Sequence, residues 1–366
     1  MTWLRLASLA SLAALALAGC GASQPVTMAD SFDLDLFGPH QDDLHSPYVA
    51  GSQFNITVSS TSNQDETGWT LTSSDRQVLQ VSAGLLEGIA GVVCAGAGTA
   101  TLRVLDAKGN VLDSHAVTVA IPDRVGIYAE GPLLTGASDQ TALVTQASVV
   151  TGGEATFLVR YFAQGTELYG SGALSVTGTG GVTATTTSAS FAAARDFLQV
   201  SPAPMGASGT VSLVIDDTVV GELPITAVEP SSVTLVTILS QATDSAQKGD
   251  SLALYAHAID ATSSDVYGAS FDWRIDGQVQ PSAYYDAPVD LFFYSYDSSI
   301  SENVAATYET FAPYAVVHGQ GGSVASTGFI GCALGGALGT SGTSSSFLVL
   351  GLAIAGAFAA RRKRSR

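Results

Sequence analysis

Gly98-Thr99-Ala100-Thr101-Leu102-Arg103-Val104 alternates small or apolar residues with polar ones, and that period of two decides the fold. Ala100, Leu102 and Val104 fall on one face of a strand. Asp106–Asn110 then turns the chain, and Val117, Val119 and Ile121 are expected to form the returning inward face, which Pro122 ends. The same grammar recurs about 110 residues later. Val211, Leu213 and Ile215 of Gly209–Ile215 point inward, Asp216-Asp217 makes the turn, Ile225 begins the return, and Pro230 stands where Pro122 stood. A new strand follows each proline: Val125-Gly126-Ile127 in one case, Val233-Thr234-Leu235 in the other. Boundaries near 122 and 230 follow, with tandem copies of one β unit.

Working outward, the region between the chain ends shows almost no helical periodicity. Short Val, Ile, Leu and Thr runs alternate with Gly, Ser, Asn and Asp, the pattern of an all-β protein built of tandem sandwiches. The units expected are 48–121, 122–229 and 230–320, with the Gly/Thr-rich 170–190 stretch of the middle one an irregular loop. In the first unit, Trp69-Thr70-Leu71-Thr72-Ser73-Ser74-Asp75, Val78-Leu79-Gln80-Val81, Leu86-Glu87-Gly88-Ile89-Ala90 and the Gly98–Val119 hairpin resemble bacterial Ig-like domains of group 2. That resemblance implies a seven-stranded sandwich used as a spacer or adhesive module on cell surfaces. In the third unit, Ser251–Ala256 leads to Gly268-Ala269-Ser270-Phe271-Asp272-Trp273-Arg274, which resembles other bacterial Ig-like modules and makes Trp273 a core residue between two sheets.

The N-terminus reads as an address. Arg5 precedes an apolar run, Leu6–Ala18, too short to span a bilayer but suited to a secretory signal. Leu17-Ala18-Gly19-Cys20 resembles the lipobox of bacterial lipoproteins. The resemblance implies that residues 1–19 are removed and that Cys20 carries the lipid. Gly21, in place of the aspartate that marks inner-membrane retention in enteric bacteria, points to the outer membrane. Residues 20–47 are expected to form a flexible acidic tether, with Asp30, Asp33, Asp35, Asp42 and Asp43 and interrupting Pro25, Pro39 and Pro47.

The other end mirrors it. A Gly/Ser-rich spacer, 321–346, contains Gly331-Cys332 and leads to the apolar Phe347–Ala360 and then Arg361-Arg362-Lys363-Arg364. Fourteen helical residues extend about 21 Å, short of a hydrocarbon core of about 30 Å. The basic end belongs on the cytoplasmic side. This order resembles the MYXO-CTERM sorting tail of myxobacterial surface proteins, which implies a transient anchor over 347–366, processing near Gly331 and Cys332, recognition of a basic end that includes Arg361 and Arg362, and surface display. A plain single-pass anchor is the other reading of the same residues.

Outside these signals the chain has 8 basic against 32 acidic residues, a net charge of −24. Such a surface repels phosphate backbones, which excludes nucleic acid as a partner class. Two of the three cysteines lie in the processing motifs, leaving Cys94 alone, so each domain relies on an apolar core rather than a disulfide. Cys94 itself reads as a small buried hydrophobe.

No catalytic frame is evident. The histidines His40, His45, His115, His257 and His318 sit in no recognised nucleophile or metal motif, and Gly178-Thr179-Gly180-Gly181 lacks the lysine and helix of a phosphate loop. Asp216-Asp217 and Asp272 with Asp276 are acidic enough to attract calcium but have no known loop spacing. Aromatics concentrate in the third unit, where Phe292, Tyr294 and Tyr296 share one strand face; Tyr294 and Tyr296 are the candidate ligand contacts. The reading is therefore a non-enzymatic lipoprotein without cofactor or metal, held by lipid at the outer membrane and displayed on the surface. Its Ig-like units would serve as spacer or adhesive stalk, with proline-marked linkers limiting bending. An envelope polysaccharide or another surface protein is the partner class, and a glycan- or protein-binding module or an envelope hydrolase the alternative.

Overall fold

A computed structural model describes residues 26–30, 44–60, 66–82, 84–86, 88–134, 137–188, 196–202, 206–240, 251–280, 291–295 and 302–317. The first sandwich contains β1 (Val26–Asp30), β2 (Tyr48–Val49), β3 (Gln53–Ser60), β4 (Thr70–Ser73), β5 (Leu79–Val81), β6 (Ile89–Cys94), β7 (Gly98–Leu105) and β8 (Val111–Ala120). One sheet has the order β1-β3-β6-β5 and the other β2-β8-β7-β4. All pairs are antiparallel except β2 with β8. The chain thus passes from one sheet to the other between β1 and β2, and the order is that of an immunoglobulin-like sandwich. The alternation read from the sequence decides which faces meet. Phe54, Ile56 and Val58 of β3, Ala100, Leu102 and Val104 of β7, and Val117 and Val119 of β8 are buried in one core with Trp69 and Cys94.

Two expectations need correction here. Val26–Asp30, assigned to the tether over 20–47, is an edge strand whose Val26 and Met28 are each 1% exposed. Its alternation is only five residues long and flanked by acidic and proline residues, so composition hid it; pairing with β3 supplies what the short strand lacks alone. Ile121 is not inward but 54% exposed, because β8 ends at Ala120 and the chain there leaves the sheet for the next sandwich.

The second sandwich repeats the first strand for strand. It comprises β9 (Arg124–Tyr128), two short helices α1 (Glu130–Leu134) and α2 (Asp139–Ala142), β10 (Ala147–Val150), β11 (Ala155–Ala163), β12 (Thr166–Leu168), β13 (Ser175–Gly178), β14 (Val182–Ser188), β15 (Asp196–Pro202), β16 (Ser208–Ile215) and β17 (Thr218–Val228). Its sheets run β9-β11-β15-β14 and β10-β17-β16-β13, position for position the order of the first, with β12 added beside β11. The 170–190 stretch is not an irregular loop, since it supplies β13 and β14. Glycine makes their tight connection possible: a Cβ on Gly180, whose φ is +64°, would stand 2.1 Å from the Ser208 carbonyl oxygen, and one on Gly209 would stand 2.0 Å from that of Thr179. Asp216 and Asp217 both have positive φ in the β16–β17 turn, as a two-residue hairpin that follows strand twist requires.

The third sandwich follows a single 3-10 turn at Pro230–Ser232. Its strands are β18 (Val233–Ser240), β19 (Ser251–Asp260), β20 (Asp265–Tyr267), β21 (Asp272–Ile275), β22 (Gln278–Val279), β23 (Leu291–Ser295), β24 (Glu302–Thr307) and β25 (Tyr314–Val317). β19 lies between β18 and β23, facing a sheet of order β22-β21-β24-β25. Trp273 is 3% exposed and stacks on Phe292 with ring centroids 5.0 Å apart, joining the two layers as expected of a core tryptophan.

Candidate functional site: the joints between sandwiches

The proline-marked junctions are more than linkers. β10 pairs in parallel with β17 of its own sandwich on one side and with β20 of the third on the other, through Ser148 with Val266 and Val149 with Tyr267. The second and third sandwiches therefore share one eight-stranded sheet. The first joint repeats this in shorter form. β2 pairs in parallel with β8, and its other side meets Tyr169 of the second sandwich. There the Val49 amide donates to the Tyr169 carbonyl at 2.9 Å, and the Tyr169 amide donates to that of Pro47 at 3.0 Å.

Side chains interlock across the same seams. Val49, at the end of β2, is buried in the core of the second sandwich, and Val150, at the end of β10, in the core of the third. In return Tyr169 packs on the core of the first sandwich and Tyr267 lies in the core of the second. Tyr267 meets Phe157 edge to face at 5.0 Å. Each tyrosine precedes a glycine that lets the backbones close. A Cβ on Gly170 would stand 2.7 Å from that of Ser52, and the Gly268 carbonyl oxygen occupies the place a Cβ on Gly153 would need.

Each seam also carries a His–Asp–Tyr set. At the first, the fully enclosed Asp30 carboxylate accepts hydrogen bonds from the His45 amide at 2.7 Å and from the Tyr48 hydroxyl, and it meets His45 Nδ1 at 2.7 Å. The His45 ring lies 4.9 Å from that of Tyr169. Burial, with the Asp30 charge adding to it, pushes the Tyr48 phenol far above its ordinary range, so it stays a donor. At the second, Asp265 meets His257 Nε2 at 2.7 Å and accepts from the Tyr267 hydroxyl at 3.2 Å. The His257 hydrogen bond is the largest influence holding the Asp265 carboxyl below the usual carboxylate range.

The α1–α2 insert braces the second seam. Arg160 lies 4.7 Å over the Tyr128 ring and donates to Asp139 at 2.9 Å, which pins the insert to the outer face of its sheet above Leu158. Gly131 of α1 lies so close to Tyr255 of β19 that a Cβ there would come within 2.1 Å of the ring.

Other expected positions fall elsewhere. Cys20, Tyr296, Gly331, Cys332, Arg361 and Arg362 lie outside the described residues, as do His40 and His318. Tyr294 is in β23, its backbone opposite Leu252. Among the described residues no group of three or more His, Cys, Asp or Glu is placed to hold a metal. Asp216 and Asp217 form a turn, and Asp276 accepts from the Asn303 amide at 3.0 Å. Each described histidine is held by an aspartate, His115 by Asp113 at 3.0 Å. Cys94 is buried, and its thiol is pushed up to about 11, mainly by desolvation. The joint residues escaped the sequence reading, yet a signal was present: Leu168-Tyr169-Gly170 and Val266-Tyr267-Gly268 are the same short motif about 100 residues apart.

No protein-family model and no curated protein matches the chain. Among solved structures it is similar to domains 4–9 of the surface layer protein SbsC, at 17% identity and TM-score 0.33, over 72% of this chain and 42% of that one. It is similar to the Escherichia coli adhesin FdeC at 15% identity and TM-score 0.24, over 81% of this chain and 97% of that one. A third is invasin, a bacterial integrin-binding protein, at 14% identity and TM-score 0.25, over 81% of this chain and 59% of that one. The chain spans less than half the length of the SbsC fragment. The sandwich assignment rests on the strand orders above.

Proposed function

We propose that this protein is a non-enzymatic, lipid-anchored stalk or adhesive spacer on the surface of a Gram-negative bacterium. The observation that carries the reading is strand pairing across both joints, which converts three small sandwiches into one stiff body. Domains joined only by a linker move relative to one another by default. Here relative motion would break backbone hydrogen bonds and expose Val49, Val150 and Tyr267, and burial of each valine contributes about 1.5–3 kcal/mol. Stiffness is what a spacer requires. The acidic surface keeps such a stalk soluble outside the cell and away from nucleic acid. Cys20 is the proposed lipid attachment point at the outer membrane, and Gly331-Cys332 with the basic tail the proposed sorting signal. An envelope polysaccharide or surface protein is the proposed partner class.

Intact-mass analysis of protein recovered from native envelopes tests this. The expected species starts at Cys20, carries acyl chains, and is lost with its membrane association in Cys20→Ser. A soluble cytosolic protein that keeps Met1 and an unmodified Cys20 would end the proposal.

A further inference from the structure

The joints do more than stiffen. In the second sandwich the chain reaches the core sheet through β10 and leaves through β17, and these two strands are parallel, from Ala147 with Ile225 to Val150 with Val228. Tension along the stalk pulls them in opposite directions along their length. Their hydrogen bonds are then loaded together in shear, where a hairpin pulled from its open end would break one bond at a time. Tension from the first sandwich reaches β9 first, which pairs antiparallel with β11. Once β9 is drawn off, sliding β10 past β17 is the step that opens the core, and β10 is held on its free side by β20 of the next sandwich. Opening the second sandwich requires Ser148 and Val149 to leave Val266 and Tyr267, Val150 to leave the third core, and the second core to lose Tyr267. At the first joint the same relation holds between β2, β8 and Tyr169.

Resting on the stalk reading, we propose that each following sandwich is a lock on the crossover strand of the one before it, so that a sandwich under load stays shut until its C-terminal neighbour has undocked. Undocking takes Val150 out of the third core and Val49 out of the second, so a sandwich opens as it undocks. The second then opens only after the third, and the first only after the second. Such an array yields stepwise from one end and keeps its N-terminal sandwiches folded longest.

Optical-tweezers pulling of the full chain tests the order. An insertion of about 20 Gly/Ser residues in the Asp216–Asp217 turn lengthens the second sandwich's step by about 70 Å, and one of about 40 in the Asp276–Gly277 turn marks the third by twice that. The expected record has the second sandwich's step always after the third's. In Tyr267→Ala the order becomes random and the second sandwich opens roughly tenfold faster or more at fixed load. If the third sandwich's step is missing in that variant, Val150→Ala loosens the same seam from the other side and is expected to randomise the order. Random order in the parent chain, or an order unchanged in these variants, overturns the lock. Protease accessibility on whole cells reports on the stalk reading separately: a buried or cytosolic chain that still opens in sequence sinks the stalk alone, and a surface-exposed chain that opens at random sinks the lock alone.

Discussion

Val150 and Tyr267 cross the second joint in opposite directions: Val150, from the second sandwich, is buried in the core of the third, and Tyr267, from the third, is buried in the core of the second. Each core is therefore completed by its neighbour. The pair is anchored by backbone, since Val149, beside Val150, is the residue paired with Tyr267. A joint built this way couples the stability of the two sandwiches.

Tyr267→Ala is expected to cost about 3 kcal/mol, the range for truncating a buried aromatic, and to divide one cooperative unfolding transition of the second and third sandwiches into two. Denaturant titration followed by near-UV circular dichroism measures it. A single transition unchanged in midpoint and slope would show that Tyr267 does not couple the two cores.

Gly209→Ala places a Cβ 2.0 Å from the Thr179 carbonyl oxygen, so β16 and the β13–β14 turn must separate. A loss of about 2 kcal/mol or more is expected, read as a fall in melting temperature. Gly152→Ala makes the contrast: its Cβ meets nothing within 4 Å, and only its positive φ of +76° resists substitution.

Cys94 is enclosed between the sheets of the first sandwich, and its pKa is raised to about 11. Thiol reagents at neutral pH are expected to label it only at the rate at which that sandwich opens, and fully in denaturant. The buried thiol holds its proton more tightly than an open chain does. Its contribution to stability is thus complete at neutral pH and falls as pH rises toward about 11. Fast labelling of the native protein would contradict the burial.

Acid acts at the second joint through Asp265. Its folded pKa lies below the unfolded one, so the stability it supplies is present above about pH 4 and is lost as pH falls through the lowered value. Because His257 is the largest cause, His257→Ala is expected to reduce stability at pH 6 and to narrow its difference from the parent as pH falls through that lowered value. Melting temperatures of both proteins across that range measure it, and a constant difference at every pH would remove the role given to the pair.

Much of the architecture was legible because period-two burial is a local property. Ala100, Leu102, Val104, Val211, Leu213 and Ile215 all face inward, and Trp273 is where the resemblance of its strand placed it. β1 and β13–β14 were not legible. Their strands are short or rich in Gly and Thr, and they persist only because β3, β15 and β16 offer hydrogen-bond partners distant in the chain.

By itself the sequence determined the fold class, the repetition, and which strand faces carry the cores, since alternation of apolar side chains leaves one low-energy way to bury them. What only the tertiary structure decided is that the sandwiches are joined strand to strand. That depends on backbone groups of Val49, Tyr169, Val149 and Tyr267 meeting across the seams, and a backbone amide carries no mark in the sequence of which distant carbonyl it will find.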